Sequence, residues 1–206
     1  MKPLIRDAGV FVLKNLDLLS SYELRRTGWL RDVGWFEAFR AGAPVDAAGQ
    51  PVPWITYPAI EFLQGRTAPH FKVFEFGAGN STRWWSSRVA EVVSCEHDAS
   101  WYEHLRATLP RNCRLELRSL EGGTYLSFVQ ELSDYFDVVV IDGRERNECA
   151  RRCLTALNAG GVVIWDNSDR DRYREGLSFL AEHGFRRIDF HGMTPGNIQR
   201  SLTTVL

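Results

Sequence analysis

One stretch limits what this chain can fold into more than any other: Val73-Phe74-Glu75-Phe76-Gly77-Ala78-Gly79-Asn80-Ser81-Thr82-Arg83-Trp84-Trp85. Val73 to Phe76 are apolar except for Glu75 and read as a buried strand. Gly77 and Gly79 let the backbone turn tightly and come close to a ligand. Ser81 or Thr82 can cap the helix that follows, leaving its first N–H groups facing the turn. The signature is E-x-G-x-G at the carboxyl end of a first strand.

Strands and helices alternate from Phe71 onward. The expected strands are 72–76, 91–96, 114–118, 137–142 and 161–166, then a closing pair at 185–190 and 201–206. Asp137-Val138-Val139-Val140-Ile141-Asp142 is a continuous apolar run of the kind parallel sheets bury on both faces. Helices are expected over about 81–89, from Asp98 to Leu109, 123–132, 146–158 and 171–183. In the second of these Trp101, Leu105 and Leu109 form one apolar face, and Ser100 with Glu103 can make a capping box. Short connections between alternating elements predict a doubly wound, Rossmann-like α/β sheet of seven strands. The last two strands leave no room for a crossover helix, so they should pair as a hairpin and place an antiparallel strand in the sheet.

Residues 1–68 do not alternate in this way. Val10, Phe11, Leu13, Leu16 and Leu19 suit a first helix, and Ser21 to Ala41 a second. A Gly-, Pro- and Asp-rich connection follows, then Trp54-Ile55-Thr56-Tyr57-Pro58 and a short helix over Ala59 to Gln64. This region reads as an N-terminal helical cap leaning on a domain of residues 69–206. Trp54 and Tyr57 serve either as simple packing or as a pocket wall.

Ligands on such sheets sit beyond the carboxyl ends of the strands, so the residues there are the candidates. After strand one come Glu75, Gly77, Gly79, Asn80 and Ser81. Glu96 ends strand two, nineteen residues after Gly77, where a carboxylate can accept bonds from a ribose diol. His97 follows it. A dinucleotide site of the G-x-G-x-x-G type wants a third glycine, and position 82 is Thr. The acid before the turn, the glycine spacing and the antiparallel ending together resemble the class I S-adenosylmethionine (SAM)-dependent methyltransferases over residues 70–206. That resemblance implies that Glu75, Gly77 and Gly79 hold the cofactor's amino-acid end, with Asn80 and Ser81 beside it. It also puts Glu96 at the ribose and Ser119 and Leu120 at the adenine, with His97 and Asp142 as further contacts.

Strand four ends in Asp142-Gly143-Arg144-Glu145-Arg146 and strand five in Trp165-Asp166-Asn167-Ser168. Buried strands ending in carboxylates need a reason, because desolvating an unpaired charge is costly. The two ends resemble the metal-binding Asp and Asp-Asn of the catechol and caffeoyl-CoA type O-methyltransferases, which implies Mg²⁺ on Asp142, Asp166 and Asn167. Glu145 stands where those enzymes place a lysine. The alternatives are that Asp142 is a general base or cofactor contact, and that Asp166-Asn167 caps the next helix. With the Phe190-His191-Gly192 turn, these ends are also similar to a bacterial group of small methyltransferases. The implied reaction is O-methylation of a small-molecule acceptor, with Asp142 or His97 freeing the acceptor of its proton. Arg144 and Arg170 can hold an anionic or sugar-like acceptor, while most of the nearby arginines read as a solvated helix face. Other readings are an aminopropyltransferase, an NAD(P)-dependent oxidoreductase, and a SAM-binding or interaction protein without turnover.

The 206 residues suffice for one sizeable core plus an extension, and 25 basic against 26 acidic residues give no electrostatic footprint for a polyanion. No nucleic-acid partner is expected on that ground. Cys95, Cys113, Cys149 and Cys153 form no C-x-x-C pair and read as small buried side chains in a reducing cytoplasm. The longest early apolar run is too short to cross a membrane, and no membrane association is expected. The aromatic-rich N-terminal helices can form a homodimer surface.

Overall fold

The structure is a computed structural model that describes residues 11, 13–16 and 18–206. Most of the first expected helix, around Val10 to Leu19, lies outside the described residues. The second is not continuous: α1 (Leu19–Thr27), α2 (Trp29–Asp32) and α3 (Trp35–Ala41) replace it. Gly28 is extended at φ −88°, ψ 158°, and Gly34 takes a left-handed φ of 84°. A Cβ on Gly34 would lie 2.2 Å from the backbone at Asp46 and Ala47. Helix α4 (Tyr57–Gln64) completes the N-terminal segment.

The sheet comprises β1 (Lys72–Phe76), β2 (Glu91–Glu96), β3 (Cys113–Leu117), β4 (Phe136–Ile141), β5 (Leu157–Asp166), β6 (Ile188–Met193) and β7 (Arg200–Val205). Its order is β3-β2-β1-β4-β5-β7-β6. The first five strands pair in parallel, and β7 runs antiparallel to both β5 and β6. The closing hairpin therefore inserts its second strand into the sheet, as the missing crossover requires. The crossing helices are α5 (Asn80–Ser86), α6 (Ala99–Arg106), α7 (Thr124–Ser127), α8 (Arg146–Cys153) and α9 (Arg174–Glu182).

Some bounds differ from the sequence expectation. Strand β5 starts four residues early, because a register shift opposite Phe136 and Val138 and a left-handed Gly160 (φ 80°) let it begin before its glycine pair. Helix α8 ends at Cys153 instead of running to 158 and gives way to a tight turn. Strand β6 begins at Ile188, after Gly184 at φ 89°. The expected capping box on α6 does not form. Asp98 caps it through a 2.9 Å bond from the Trp101 N–H, and Glu103 pairs with Arg106 at 2.7 Å.

The period-two alternation of side chains builds two cores. Phe74, Phe76, Val139, Ile141, Val163 and Trp165 face one side, under α8 and α9. Val73, Val138, Val140, Ile164 and Val205 face the other, against Trp84 and Trp85 of α5 and against Trp35, Ile55, Tyr57, Ile60 and Leu63. Residues 35–63 thus share a core with the sheet. Cys95, Cys149 and Cys153 are buried, and burial pushes all three thiols up; Cys113 is partly buried and its thiol is raised to about 11. Among the described residues no helix is long and apolar enough to cross a membrane.

Candidate functional site

Glu75 shares the parity of Val73, so it points to the face covered by α5 and the N-terminal segment. It is 1% exposed. Oε2 accepts a 2.9 Å bond from Ser94 on β2, while Oε1 has no partner among the described residues. Burial pushes this carboxyl up to about 7, against the lowering by hydroxyls of Thr82, Ser81 and Ser94. A buried acid with one oxygen unanswered is an unfinished hydrogen-bond account.

Beyond it the chain turns. Gly77 takes φ 95°, where a side chain would be strained, and its added Cβ would sit 3.3 Å from Gly143. Gly143 in turn admits no side chain, since a Cβ there would lie 2.0 Å from the Tyr125 hydroxyl. The ends of β1 and β4 therefore meet backbone to backbone. Gly79 is extended, and a Cβ there would meet open space. Thr82 acts from the third helical position, its Oγ1 accepting from the Gly79 N–H at 3.1 Å. Ser81 is thus not the cap of α5.

Glu75, Gly77, Gly79, Asn80, Ser81 and Asp142 line one cavity of about 230 Å³. The structure therefore brings together the expected residues of strand ends one and four. Three further walls line it: Trp54, for which the sequence leaves packing and a pocket wall open, and two that it does not point to. Gly42-Ala43-Pro44 closes one side, tied down by a 2.9 Å bond from Asn80 Nδ2 to the Pro44 carbonyl. Trp54 forms another, its indole N–H bonded to the Pro195 carbonyl at 3.0 Å. Trp101, expected on the apolar core face of its helix, lies over the glycine turn and donates to the Ala78 carbonyl at 2.8 Å. Only Leu105 of that helix is buried. Tyr57 is buried beneath the N-terminal segment and does not line this cavity.

Glu96, His97, Ser119 and Leu120 lie outside the cavity wall. Glu96 is 5% exposed and folded onto its own loop. Oε1 accepts from the His97 and Asp98 N–H groups at 2.7 and 2.9 Å, and Oε2 from the Ala78 N–H at 3.3 Å. Glu96 therefore braces the glycine turn directly. His97 Nδ1 sits 2.9 Å from Glu96 Oε1, and its ring meets Tyr125 edge to face. Ser119 Oγ accepts from the Glu121 N–H at 3.1 Å, and Leu120 is exposed.

Asp142 also opens onto a second, polar cleft of about 470 Å³ with Trp54, Asp166, Asn167, Asp169 and Arg170. Trp54 and Asp142 border both spaces, so the two meet there. Asp166 is buried, accepts from Thr203 at 2.9 Å and is pushed up to about 7 by burial and by Asp142. Burial also raises Asp142, against the pull of Arg146, which bonds its Oδ1 at 2.9 Å.

These surroundings do not fit Mg²⁺ on Asp142, Asp166 and Asn167. Hard divalent ions want several anionic or carbonyl oxygens free. Here the Arg146 guanidinium already holds Asp142, Thr203 holds Asp166, and Asn167 directs Nδ2 to Ser201 at 3.2 Å from a left-handed backbone, φ 54°. Arg170 adds further positive charge against Asp142. Among the described residues no group of three His, Cys, Asp or Glu side chains is placed to hold a metal.

By sequence, no family model and no curated protein matches the chain. By structure it is similar to precorrin 8w decarboxylase from Methanobacterium thermoautotrophicum, with a TM-score of 0.58 at 15% identity over 80% of this chain and 96% of that one. It is also similar to precorrin-6y C5,15-methyltransferase from Geobacter metallireducens, with a TM-score of 0.55 at 18% identity over 71% and 84%. Fibrillarin from Aeropyrum pernix, whose structure carries natively bound S-adenosyl-L-methionine, aligns with a TM-score of 0.53 at 13% identity over 68% of each chain. The fold is that of the class I SAM-dependent methyltransferases.

Proposed function

We propose that the chain is a SAM-dependent methyltransferase acting on an oxygen of a small-molecule acceptor. The single observation that carries this reading is the unanswered Glu75 Oε1, buried beside an open glycine turn at the end of β1. A cationic amino group is the partner that a buried carboxylate of this kind asks for. The cavity lies under the roughly 300–1,000 Å³ of complete small-molecule sites, so at about 230 Å³ it suits the amino-acid end alone. The adenosine then runs outward past Trp101 toward Glu96 and His97. Gly79 gives the backbone room to approach, and Asn80 and Ser81 present polar atoms to the same space. The shared fold supports the assignment independently of these residues.

The cofactor supplies a methyl group on a sulfonium, which leaves as the carbon–oxygen bond forms while sulfur keeps the electron pair. The chain's own part is to orient and to move one proton. Asp142 stands where the two cavities meet. Arg146 fixes its Oδ1, and Oδ2 has no hydrogen-bond partner among the described residues. We assign to Asp142 the acceptance of the hydroxyl proton, with Asp166 behind it as a raised carboxyl that shares the charge. Trp54 walls both spaces where they meet. The small combined volume and the balanced charge favour a small molecule over a nucleic acid. The exposed Leu24, Trp29 and Phe39 of the N-terminal segment support a homodimer surface, which light scattering of the purified protein tests. The function itself is tested by S-adenosylhomocysteine titration followed by an acceptor screen read as S-adenosylhomocysteine release.

A further inference from the structure

Resting on that reading of the cofactor cavity, we infer that the acceptor is a phosphorylated sugar: its hydroxyl-bearing ring in the polar cleft against Trp54, its phosphate among the arginines beyond Arg170. Three observations converge on it.

The first is the character of the polar cleft. A phenolic acceptor needs apolar walls on both ring faces, and this cleft offers them on one side only. Trp54 is 50% exposed and held by its indole N–H on Pro195, so a ring face is free and rigid. The same cleft is lined by planar or hydroxylic groups, among them Asp142, Asn167, Asn197, Gln199 and Ser201. An aromatic plate in one cleft with amide and carboxylate side chains suits a ring whose faces are C–H and whose rim is hydroxyl.

The second is continuity. Arg170 lines the polar cleft and also a third cleft of about 350 Å³ beside it. The two spaces therefore share a wall, as the polar cleft and the cofactor cavity share Trp54 and Asp142. A ligand with two chemically distinct parts can lie across both.

The third is the state of the arginines there. Several exposed arginines pair with a carboxylate, such as Arg40 with Glu37, Arg106 with Glu103 and Arg187 with Asp189, and others stand singly on the surface. Arg144, Arg170 and Arg172 are exposed and make no ion pair among the described residues, yet all three line this one cleft. Glu145 is the carboxylate that faces them. Arg146 also lines it, but its guanidinium is spent on Asp142 and on backbone carbonyls. Three guanidinium groups gathered around one small concavity, none hydrogen-bonded to a carboxylate among the described residues, fit a phosphoryl group, whose oxygens accept paired N–H donors. In the transfer, one ring hydroxyl gives its proton to Asp142 and takes the methyl group, and the phosphate is unchanged.

The test is calorimetric titration of the full chain, saturated with S-adenosylhomocysteine, against a panel of hexose 1-phosphates and nucleoside diphosphate hexoses. The free hexoses, inorganic phosphate and catechol are the comparison arms. The inference expects at least one phosphorylated sugar to bind, at least tenfold tighter than its free hexose and tighter than phosphate alone. Arg170→Ala and Arg144→Ala should each weaken that binding about tenfold while S-adenosylhomocysteine affinity is unchanged. The inference is overturned, with the cofactor assignment intact, if S-adenosylhomocysteine binds but no phosphorylated sugar does, or if catechol binds best. It is overturned equally if inorganic phosphate accounts for all the affinity. Failure of S-adenosylhomocysteine itself to bind removes the underlying reading instead.

Discussion

Arg146 bonds Asp142 twice through one nitrogen, to its carbonyl at 3.0 Å and to its Oδ1 at 2.9 Å, and the same guanidinium reaches the carbonyls of Gly143 and Asp166. It thereby ties the carboxyl ends of β4 and β5 together at the point where the candidate base stands. The guanidinium also packs over the Tyr173 ring at 5.2 Å. Arg146→Ala leaves buried carbonyls and a carboxylate without a donor, and should destabilise the fold by about 3–5 kcal/mol. Arg146→Lys should recover little of this, since one ammonium cannot span the set. Urea denaturation followed by circular dichroism measures both.

The two glycines at the strand ends should behave oppositely. Gly143→Ala places a methyl group 2.0 Å from the Tyr125 hydroxyl and 2.8 Å from the Phe76 carbonyl. It should cost about 2 kcal/mol or more in stability. Gly79→Arg meets open space at its Cβ, so it should fold normally. Its side chain then occupies the cavity, and S-adenosylhomocysteine binding should be lost. A thermal melt and a titration on each variant separate the two effects.

Glu75 makes stability depend on pH in an unusual direction. Its carboxyl rises from 4.5 to about 7 on folding. Below pH 4.5 both folded and unfolded forms hold the proton, and there is no penalty. As pH climbs through this window the unfolded chain releases the proton while the folded one keeps it, so stability falls. Above about 7 the full loss, about 3 kcal/mol, is in place. Glu75→Gln should therefore melt higher than the wild type at pH 8 and equally at pH 4. The positive amino group of the ligand favours the ionised carboxylate, so S-adenosylhomocysteine should bind more tightly at pH 7.5 than at pH 5.5, releasing a proton at the lower pH. Titration in buffers of different ionisation enthalpy reads that proton directly.

Chelation should leave the protein unaffected. Arg146 holds Asp142 Oδ1 and Thr203 holds Asp166 Oδ1, and the Arg146 and Arg170 charges oppose a cation there. Added EDTA should change neither S-adenosylhomocysteine affinity nor any methyl transfer found with a suitable acceptor, and added Mg²⁺ should not raise either.

Much of the architecture is legible in the sequence because it rests on local signals. The run at Val138–Ile141, the turn at Gly77–Gly79 and the absence of a crossover before the last strand each fix one feature of the sheet. What was hidden depends on contacts distant in sequence. Arg146 looks like one of many arginines on a solvated face, and only the proximity of the β5 end makes it a clamp. Trp101 has the spacing of a core residue, yet the Ala78 carbonyl draws it over the turn. The strand-end carboxylates resemble metal ligands in sequence, and only the fold reveals that the Arg146 guanidinium reaches both strand ends. Gly42-Ala43-Pro44 carries only a turn signal, and its place as a cavity wall follows from the bond that Asn80 makes to it.

The most direct test of the central claim is calorimetric titration of the wild-type chain and of Glu75→Gln with S-adenosylhomocysteine at pH 7.5. Saturable binding near one per chain, lost or weakened at least tenfold in a Glu75→Gln variant that still folds, is the predicted result. No binding to a folded wild-type chain, or equal binding to both, would contradict the assignment of the β1 end as a SAM site.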